Sequence, residues 1–219
     1  MSTEHTAAPA IADMSEQMQI RLEKRAKLIE SGREAYPVGL LDSEGNRVEP
    51  NHIEDLRAEY DPKLESGELK AGDETDRVVH VGGRVVFVRN TGKLCFATLQ
   101  GGTEGKRIQA MLSLAEVGEE SLSEWKSLVD LGDHVFVTGR VIVSRRGELS
   151  IMVTDWKMAS KALRPMPVLH KDLNEETRVR QRYLDLMVRE EARELVKKRA
   201  LITRTVRRVL EDHGYIEVE

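Results

Sequence analysis

The feature that most constrains the fold is a series of short apolar runs between residues 78 and 158. The runs are rich in valine, isoleucine and aromatic residues, with glycine-containing turns between most of them. Such runs predict β-strands, whereas residues 114–131 carry apolar side chains at helical spacing. The pattern predicts strands at residues 78–90, 93–100 and 106–112, a helix at 114–131, and strands at 134–144 and 148–158.

Three strands, a helix and two more strands follow one another in the order of an OB-fold, a five-stranded Greek-key barrel that commonly binds oligonucleotides. An SH3-like barrel is the alternative, but it normally lacks a long helix between its third and fourth strands. The order therefore favours the OB-fold in a chain that is α+β but mainly β. Gly82 and Gly83 predict a bulge or tight bend in the first strand, and Arg145-Arg146-Gly147 predicts a hairpin turn.

Helical and proline-containing segments flank the barrel. Helical spacing predicts an amphipathic helix at residues 15–33, and glycines and prolines predict a surface connection after it, with a short helix at 53–60. Pro165 and Pro167 mark the end of the barrel. We predict four segments: a disordered tail at 1–14, the helix and connection at 15–76, the barrel at 77–160, and a linker with the start of a second domain at 161–219.

Two helices are predicted beyond the linker. The first begins at the capping sequence Asn174 to Thr177 and runs to residue 187, and the second covers residues 189–213 with Gly214 as its C-terminal stop. The second helix carries an apolar stripe that we expect to be buried: Leu195, Ile202, Val206, Val209 and Leu210.

Composition narrows the function classes. The single cysteine, Cys95, excludes an intramolecular disulfide and predicts a buried thiol, and the scattered histidines predict no metal site. No apolar run approaches the ~20 residues of a membrane helix, and the first residues lack the features of a secretory signal, which predicts a cytoplasmic protein. The net charge of −4 does not exclude a polyanionic partner, because local clustering decides where phosphates bind.

Basic residues are concentrated on the first three strands. They are Arg84, Arg89, Lys93, Lys106 and Arg107. A solvated barrel face is their ordinary interpretation, but Phe96 lies among them and would either belong to the core or stack on an unpaired base. The first helix has basic residues that are either phosphate contacts or members of salt bridges on a solvated helix: Arg21, Lys24, Arg25, Lys27 and Arg33.

The second domain begins with a distinctive sequence. Arg-Val-Arg-Gln-Arg-Tyr-Leu-Asp-Leu at residues 178–186 follows the proline-containing linker and precedes a helix that leads into Gly-Tyr-Ile-Glu-Val-Glu at residues 214–219. This order resembles the class II lysyl-tRNA synthetases over residues 15–219. The resemblance implies the N-terminal, anticodon-binding portion of such an enzyme, whose intact form activates lysine with ATP and Mg²⁺ and transfers it to tRNA(Lys) as a homodimer.

The resemblance also implies roles for barrel residues. In the class II synthetases of the aspartyl, asparaginyl and lysyl group, the anticodon-binding barrel has an arginine, a phenylalanine, a glutamine and an acidic residue at set strand positions. This chain matches them with Arg89, Phe96, Gln109 and Glu148. Phe96 would stack on the central anticodon base, a uridine, and Arg89 would meet a phosphate or a neighbouring base. Gln109 and Glu148 would read base edges. The remaining basic residues would be candidate phosphate contacts: Arg84, Lys93, Lys106 and Arg107.

The last residues resemble the start of motif 1, which forms the family's dimer interface together with its long helix. The implied interface residues are Val206, Leu210, Gly214, Tyr215 and Ile216. The apolar stripe would then meet a partner subunit, unless it packs against the barrel. No part of the sequence resembles motifs 2 and 3, which carry the family's catalytic arginines. We therefore expect no catalytic residues and no cofactor in this chain, and tRNA binding without aminoacylation.

Two alternatives belong to other function classes. A stand-alone OB-fold module would bind many unrelated single-stranded nucleic acids. The synthetase-like part of a larger lysyl-lipid synthase would be fused behind membrane helices, and the absence of a membrane span in this sequence argues against it.

Overall fold

The structure is a computed structural model that describes residues 15–41, 45–102, 104–167 and 173–218. The predicted disordered tail at residues 1–14 lies outside the described residues, as does Glu219 at the end of the sequence that resembles motif 1. The first of two compact units contains residues up to Gly102 and residues 106–166, and the second contains residues 104–105 and those from Pro167 onward. The elements are α1 (Glu16–Glu30), α2 (Ile53–Glu65), β1 (Glu74–Asn90), β2 (Leu94–Gly101), β3 (Lys106–Ser113), α3 (Leu114–Val117), α4 (Glu119–Leu128), β4 (His134–Val143), β5 (Leu149–Ser160), α5 (Glu175–Arg180), α6 (Arg182–Val188) and α7 (Glu190–Asp212).

The five strands of the first unit form a closed barrel with the strand order β1-β2-β3-β5-β4. Neighbouring strands run antiparallel, except that β3 and β5 run parallel. Strand β1 closes the barrel because it pairs with β4 along its first part and with β2 along its last part. With α3 and α4 between β3 and β4, this topology confirms the predicted OB-fold.

The barrel core consists of the inward-facing residues of each strand. On β2, Cys95, Ala97 and Leu99 are buried, and the residues between them are partly exposed. This alternation places Phe96 on the outer face, so the interpretation of Phe96 as a core residue is wrong. Cys95 is the small buried residue that the sequence predicted, and its burial raises the pKa of the thiol.

The two glycines of β1 keep a regular register, which corrects the bulge predicted there. Gly82 pairs with Phe136 and Gly83 pairs with Val135. A Cβ atom at Gly82 would lie 3.0 Å from the Phe136 ring, and one at Gly83 would lie 2.9 Å from the Cβ atom of Leu99. Glycine is therefore required here for close approach, at Gly83 inside the barrel and at Gly82 on its outer face, and the register shifts of β1 lie before and after this pair.

The segment between β3 and β4 contains two helices rather than the predicted single helix. Gly118 separates them with a φ of 80°, a left-handed conformation that ends α3. Helix α4 buries Leu122, Trp125 and Leu128, as its spacing predicted. The ring of Trp125 packs edge-to-face on Trp156 of β5, with the centroids 5.2 Å apart.

Helix α1 is attached to the barrel through basic side chains. Arg21 is buried and donates to the carbonyl oxygens of Leu131 and Ala162, both at 2.9 Å. Lys24 forms an ion pair with Asp130 at 2.6 Å. Of the two interpretations of this helix, these contacts support internal salt bridges and hydrogen bonds for Arg21 and Lys24 rather than phosphate binding.

A buried lysine connects the end of β5 to the turn that precedes β4. The Lys161 ammonium donates to the carboxylates of Asp130 and Asp133 at 2.6 and 2.7 Å, and to the carbonyl of Leu128 at 2.7 Å. The side chains of Lys161 and Asp133 are fully buried. Burial alone would raise the pKa of Asp130, but its hydrogen bonds with Lys161 and Lys24 outweigh burial and lower the pKa below its ordinary value.

The second unit contains α5, α6 and α7. The Asn174 side chain accepts a hydrogen bond from the Thr177 amide at 2.7 Å, which confirms the predicted cap. Two short helices replace the single helix predicted to residue 187, because Gln181 leaves the helical conformation at φ −117° and ψ 55°. Helix α7 ends at Asp212, and Gly214 follows with a φ of 83°, as predicted.

The apolar stripe of α7 is exposed, so the prediction of a buried stripe is wrong. Its members are between 47% and 64% exposed: Leu195, Ile202, Val206, Val209 and Leu210. Ala192, near the start of the helix, is the one buried residue that the structure describes on α7. Helical spacing identifies the apolar side of a helix, but burial requires another element to cover that side.

Candidate nucleic-acid interface

A cleft of about 830 Å³ lies on the outer face of the barrel. Residues of all five strands form it, together with Gly72 and the turn between β4 and β5. The cleft contains all four residues that the resemblance linked to the anticodon: Arg89, Phe96, Gln109 and Glu148. Closure of the barrel brings these residues together, since each comes from a different strand or turn.

Arg89 and Phe96 form the first pair of the cleft. They lie directly opposite each other on β1 and β2, and the guanidinium carbon of Arg89 is 4.6 Å from the centroid of the Phe96 ring. A guanidinium over an aromatic ring at this distance is held by a cation–π interaction. The pair therefore presents an aromatic ring with a planar cation over it, and both kinds of group stack on nucleobases.

Gln109 and Glu148 form the second pair. The Gln109 side-chain amide donates to a carboxylate oxygen of Glu148 at 2.8 Å. The hydroxyl of Ser150, which lies beside Gln109 in the β3–β5 register, donates to the amide oxygen at 3.1 Å. These contacts orient the amide, with its nitrogen toward the carboxylate and its oxygen toward the hydroxyl. One N–H of the amide and the remaining carboxylate lone pairs stay available for a base edge.

The turn between β4 and β5 positions Glu148 and adds two cations. The backbone N–H of Glu148 donates to the Ser144 hydroxyl at 3.0 Å, and Gly147 adopts a φ of 81°. These features confirm the predicted hairpin turn. Arg145 and Arg146 are exposed on this turn and line the cleft. Neither side chain forms a hydrogen bond or ion pair with another described residue.

Among the lining residues to which the sequence analysis gave no functional role, three are cationic or aromatic. They are Arg145, Arg146 and Phe87. A signal for the arginines was present, because the loop between strands four and five of an OB-fold commonly contacts oligonucleotides. No local signal identified Phe87.

The charge of the cleft differs in sign from that of the whole chain. Its charged lining residues are Arg89, Arg145 and Arg146 against Glu74 and Glu148. Glu74 lies 3.8 Å from the guanidinium of Arg140, which partly neutralises it. A chain with a net charge of −4 therefore has a locally cationic cleft, which suits a phosphate backbone.

The candidate phosphate contacts lie outside the cleft lining. Arg84 donates to the Gly132 carbonyl at 3.0 Å, and burial lowers the pKa of its guanidinium. This side chain forms a hydrogen bond within the barrel, which does not support the predicted phosphate contact. Lys93, Lys106 and Arg107 are exposed, but none of them lines the cleft. The structure thus does not group these cations with the four anticodon-linked residues.

The implied interface residues all lie at the end of α7 or just beyond it. All five are exposed: Val206, Leu210, Gly214, Tyr215 and Ile216. The segment after the helix is held by an ion pair between Arg207 and Glu217 at 2.9 Å and by a hydrogen bond from the Tyr215 amide to the Leu210 carbonyl at 3.0 Å.

Metal ligands and membrane spans were searched for in the described part of the chain. Within it, no group of three or more His, Cys, Asp or Glu side chains could hold a metal ion. None of the helices that the structure describes has the length and apolar character needed to cross a membrane.

Two family models match this chain. The model of an OB-fold nucleic acid binding domain matches residues 79–159. The model of class II tRNA synthetases for aspartate, lysine and asparagine matches residues 174–219. The first match contains the four anticodon-linked residues of the cleft, and the second begins at the cap of α5.

Curated relatives include lysine–tRNA ligases and a lipid-synthesis protein. The chain is 54% identical to a ligase of Kineococcus radiotolerans over 94% of its own length and 39% of the relative's. It is 52% identical to a ligase of Mycolicibacterium gilvum over 94% and 38% of the two lengths. A lysylphosphatidylglycerol biosynthesis bifunctional protein of Mycobacterium avium is 35% identical, with 97% of this chain and 16% of that protein covered. The chain therefore spans about two fifths of the length of the ligases that it matches.

Proposed function

We propose that this chain, which belongs to the class II lysyl-tRNA synthetase family as an N-terminal portion, binds the anticodon loop of tRNA(Lys) through its barrel. The observation that carries the proposal is the content of one cleft, where the Arg89–Phe96 pair and the Gln109–Glu148 pair occur together. Sequence-specific recognition of single-stranded RNA needs both a stacking surface and groups that read base edges.

Phe96 supplies the stacking surface for the central anticodon base, a uridine. Its ring lies on the outer face of β2, and Arg89 on the neighbouring strand holds it by the cation–π contact. Stacking of a base on an aromatic ring contributes on the order of 1–3 kcal/mol. Arg89 contributes in addition by stacking on a neighbouring base or by contacting a phosphate.

Gln109 and Glu148 read the edge of the stacked base. Uracil presents a ring N–H donor between two carbonyl acceptors, whereas cytosine presents a ring-nitrogen acceptor in place of that donor. The carboxylate of Glu148 only accepts, so it pairs with the N–H of uracil and leaves the cytosine nitrogen unpaired. The available N–H of Gln109 donates to a uracil carbonyl.

Arg145 and Arg146 provide sequence-independent affinity. Their exposed guanidinium groups lie on the turn that borders the cleft, where they neutralise phosphates of the anticodon loop. This division resembles the general pattern of nucleic-acid recognition, in which cationic contacts position the backbone and other residues read the bases.

The activity of an intact enzyme follows from the family. Such an enzyme activates lysine with ATP and Mg²⁺ and transfers it to tRNA(Lys) in the cytoplasm as a homodimer. The contribution of this chain is tRNA binding, without aminoacylation by the chain itself.

The lysyl-lipid synthase is the second candidate, because one relative is named for lysylphosphatidylglycerol biosynthesis. The identity of 35% to that protein, against 54% and 52% to the two ligases, favours the ligase. Barrel chemistry does not separate the two candidates, since both contain a synthetase-like region.

Titration of the chain with an anticodon stem-loop of tRNA(Lys) tests the proposal. We expect tighter binding to this RNA than to a stem-loop with cytidine at the central position, and a loss of on the order of 10- to 100-fold in affinity for Phe96→Ala. Phe136→Ala is the matched control, because Phe136 lies on β4 and does not line the cleft. Equal affinity for unrelated oligonucleotides would instead support a stand-alone binding module and refute anticodon recognition.

A further inference from the structure

Phe87 is a large apolar residue that lines the cleft and is 54% exposed. The proposed function gives it no role. Single exposed apolar side chains are ordinary on protein surfaces, so exposure alone assigns nothing to this residue. The backbone around Phe87 and its position relative to the other cleft residues provide the argument.

A β-bulge at Val86 turns Phe87 toward the cleft. Val85 pairs with Leu99 and Phe87 pairs with Thr98, the adjacent residue of β2, so Val86 has no partner on that strand. Before the bulge, the odd-numbered residues of β1 face the core, as the buried side chains of Val79, Val81 and Val85 demonstrate. In an unbroken strand Phe87 would continue that buried series. The extra residue therefore re-aims its ring, as bulges next to binding sites commonly do.

The same bulge places Phe87 on the face that carries Phe96. Arg89 lies opposite Phe96, and Phe87 lies two residues before Arg89, so Phe87 and Phe96 are diagonal neighbours on antiparallel strands. Diagonal neighbours of this kind are about 7–8 Å apart, within reach of aromatic side chains. Two rings on one face can therefore hold two bases of the same single strand.

The charges nearby favour a nucleotide as the occupant. Arg145 and Arg146 line the same cleft and have no hydrogen-bond or ion-pair partner among the described residues. A nucleotide joins an aromatic base to a phosphate, so it matches an exposed ring beside such guanidinium groups. An apolar peptide would match the ring only.

We propose that Phe87 is a second stacking platform, which holds an anticodon-loop base adjacent in sequence to the base on Phe96. The proposal rests on the proposed function, because it requires the anticodon loop to occupy this cleft. It deepens that function by making the cleft a two-base site. Arg89 of β1 lies two residues after Phe87 on the same strand and opposite Phe96 on β2.

The test uses the full chain and tRNA(Lys) anticodon stem-loops with 2-aminopurine at one of the two positions that flank the central uridine. We expect binding to the wild-type chain to quench the probe at one flanking position, and Phe87→Ala to abolish that quenching and weaken binding by roughly 5- to 100-fold. Phe87→Leu keeps an apolar side chain against the barrel without a ring to stack, and should be impaired in the same way. Phe87→Trp should retain quenching and affinity.

Val78→Ala is the matched control, because Val78 is another exposed apolar residue of β1, 57% exposed, and does not line the cleft. It should bind like the wild-type chain. Melting temperatures of all variants separate loss of binding from loss of folding, and Phe87→Leu decides the result if Phe87→Ala does not fold.

The outcomes distinguish this proposal from the proposed function. Wild-type affinity in Phe87→Leu, with binding impaired in Phe96→Ala, would overturn the two-base site and leave anticodon recognition intact. Absence of stem-loop binding by the wild-type chain would overturn both. The second platform would be established by two results together. Phe87→Ala and Phe87→Leu would bind RNA more weakly while melting at the wild-type temperature, and Phe87→Trp would retain binding.

Discussion

The side-chain amide of Gln109 donates to the carboxylate of Glu148 at 2.8 Å, although the two residues lie 39 positions apart in the chain. The contact depends on the parallel pairing of β3 with β5, which places Gln109 beside Ser150 just after Glu148. It joins the two groups to which we assign the reading of a base edge. A change in either group should therefore alter base preference more than it alters overall affinity.

Replacement of Glu148 with glutamine should reduce the preference for uridine at the central anticodon position. A carboxylate only accepts hydrogen bonds, whereas an amide also donates, so the variant would no longer reject the ring nitrogen of cytosine. We expect the ratio of dissociation constants for cytidine- and uridine-containing stem-loops to fall by roughly tenfold.

Glu74→Gln is the control for this change, because Glu74 is the other carboxylate that lines the cleft. Both variants remove one negative charge and should bind RNA slightly more tightly in general. An equal loss of base preference in the two variants would contradict the specific role of Glu148.

Replacement of both Arg145 and Arg146 with alanine should weaken binding to all stem-loops alike and reduce its salt dependence. Each phosphate contact on a single strand contributes about 0.7 to the slope of log affinity against log salt, so we expect the slope to decrease by about 1.4. Titrations at several salt concentrations measure this slope.

The matched control is the double variant Lys106→Ala/Arg107→Ala, which removes two adjacent cations of the barrel that do not line the cleft. Its salt slope should stay near the wild-type value. If the control lowers the slope as much as the turn variant, the phosphate contacts extend beyond the cleft and the earlier assignment of Lys106 and Arg107 is correct.

Replacement of Lys161 with methionine should destabilise the first unit. The change leaves the fully buried Asp133 carboxylate without its cationic partner. Breaking a buried ion pair from one side costs about 3–5 kcal/mol. Urea denaturation should give a lower free energy of unfolding by that order, and the further change Asp133→Asn should recover part of it, since it removes the unpaired charge.

Lys93→Met is the control for Lys161, because Lys93 is an exposed lysine of the β1–β2 turn. Its effect should stay within about 0.5 kcal/mol, as is usual for surface substitutions. A comparably small effect of Lys161→Met would show that the buried network contributes little to stability.

Acidification should destabilise the wild-type chain more than the His134→Gln variant. Burial, with a smaller contribution from the charge of Arg84, lowers the pKa of His134 from 6.5 to about 4 in the folded chain. The unfolded chain therefore binds a proton to this ring between these two values while the folded chain does not. Stability that is fully present above pH 6.5 is lost as the pH falls toward 4.

Thermal unfolding at several pH values between 4 and 7 measures this effect. Carboxylates titrate in both proteins, so the difference between the two curves isolates the contribution of His134. Parallel curves would contradict the lowered pKa.

The order of strands along the chain and the positions of the turns were predictable, because both depend on local sequence patterns. Alternation along β2 indicates which residues face inward, and the turn at Arg145-Arg146-Gly147 follows from composition. The resemblance to the synthetases named four residues that line one cleft in the structure, although no local pattern would have grouped positions so far apart in the chain.

The errors share a physical cause, which is dependence on distant residues. A glycine in a strand indicates either a bulge or a close approach, and for Gly82 the ring of Phe136 decides between them. Successive valines at 85 and 86 suit a regular strand and a bulge equally, so the outward turn of Phe87 had no local signal. The stripe of α7 was identified correctly as apolar, but its exposure depends on what covers the helix.

The bulge makes β1 tolerant of a one-residue change in length at this position. An in-frame deletion of the Val86 codon would remove only the residue that has no partner on β2, so the phenylalanine and arginine that follow would keep their pairing and stay on the outer face. The loss of this single codon would thus leave every residue of the proposed RNA site in place.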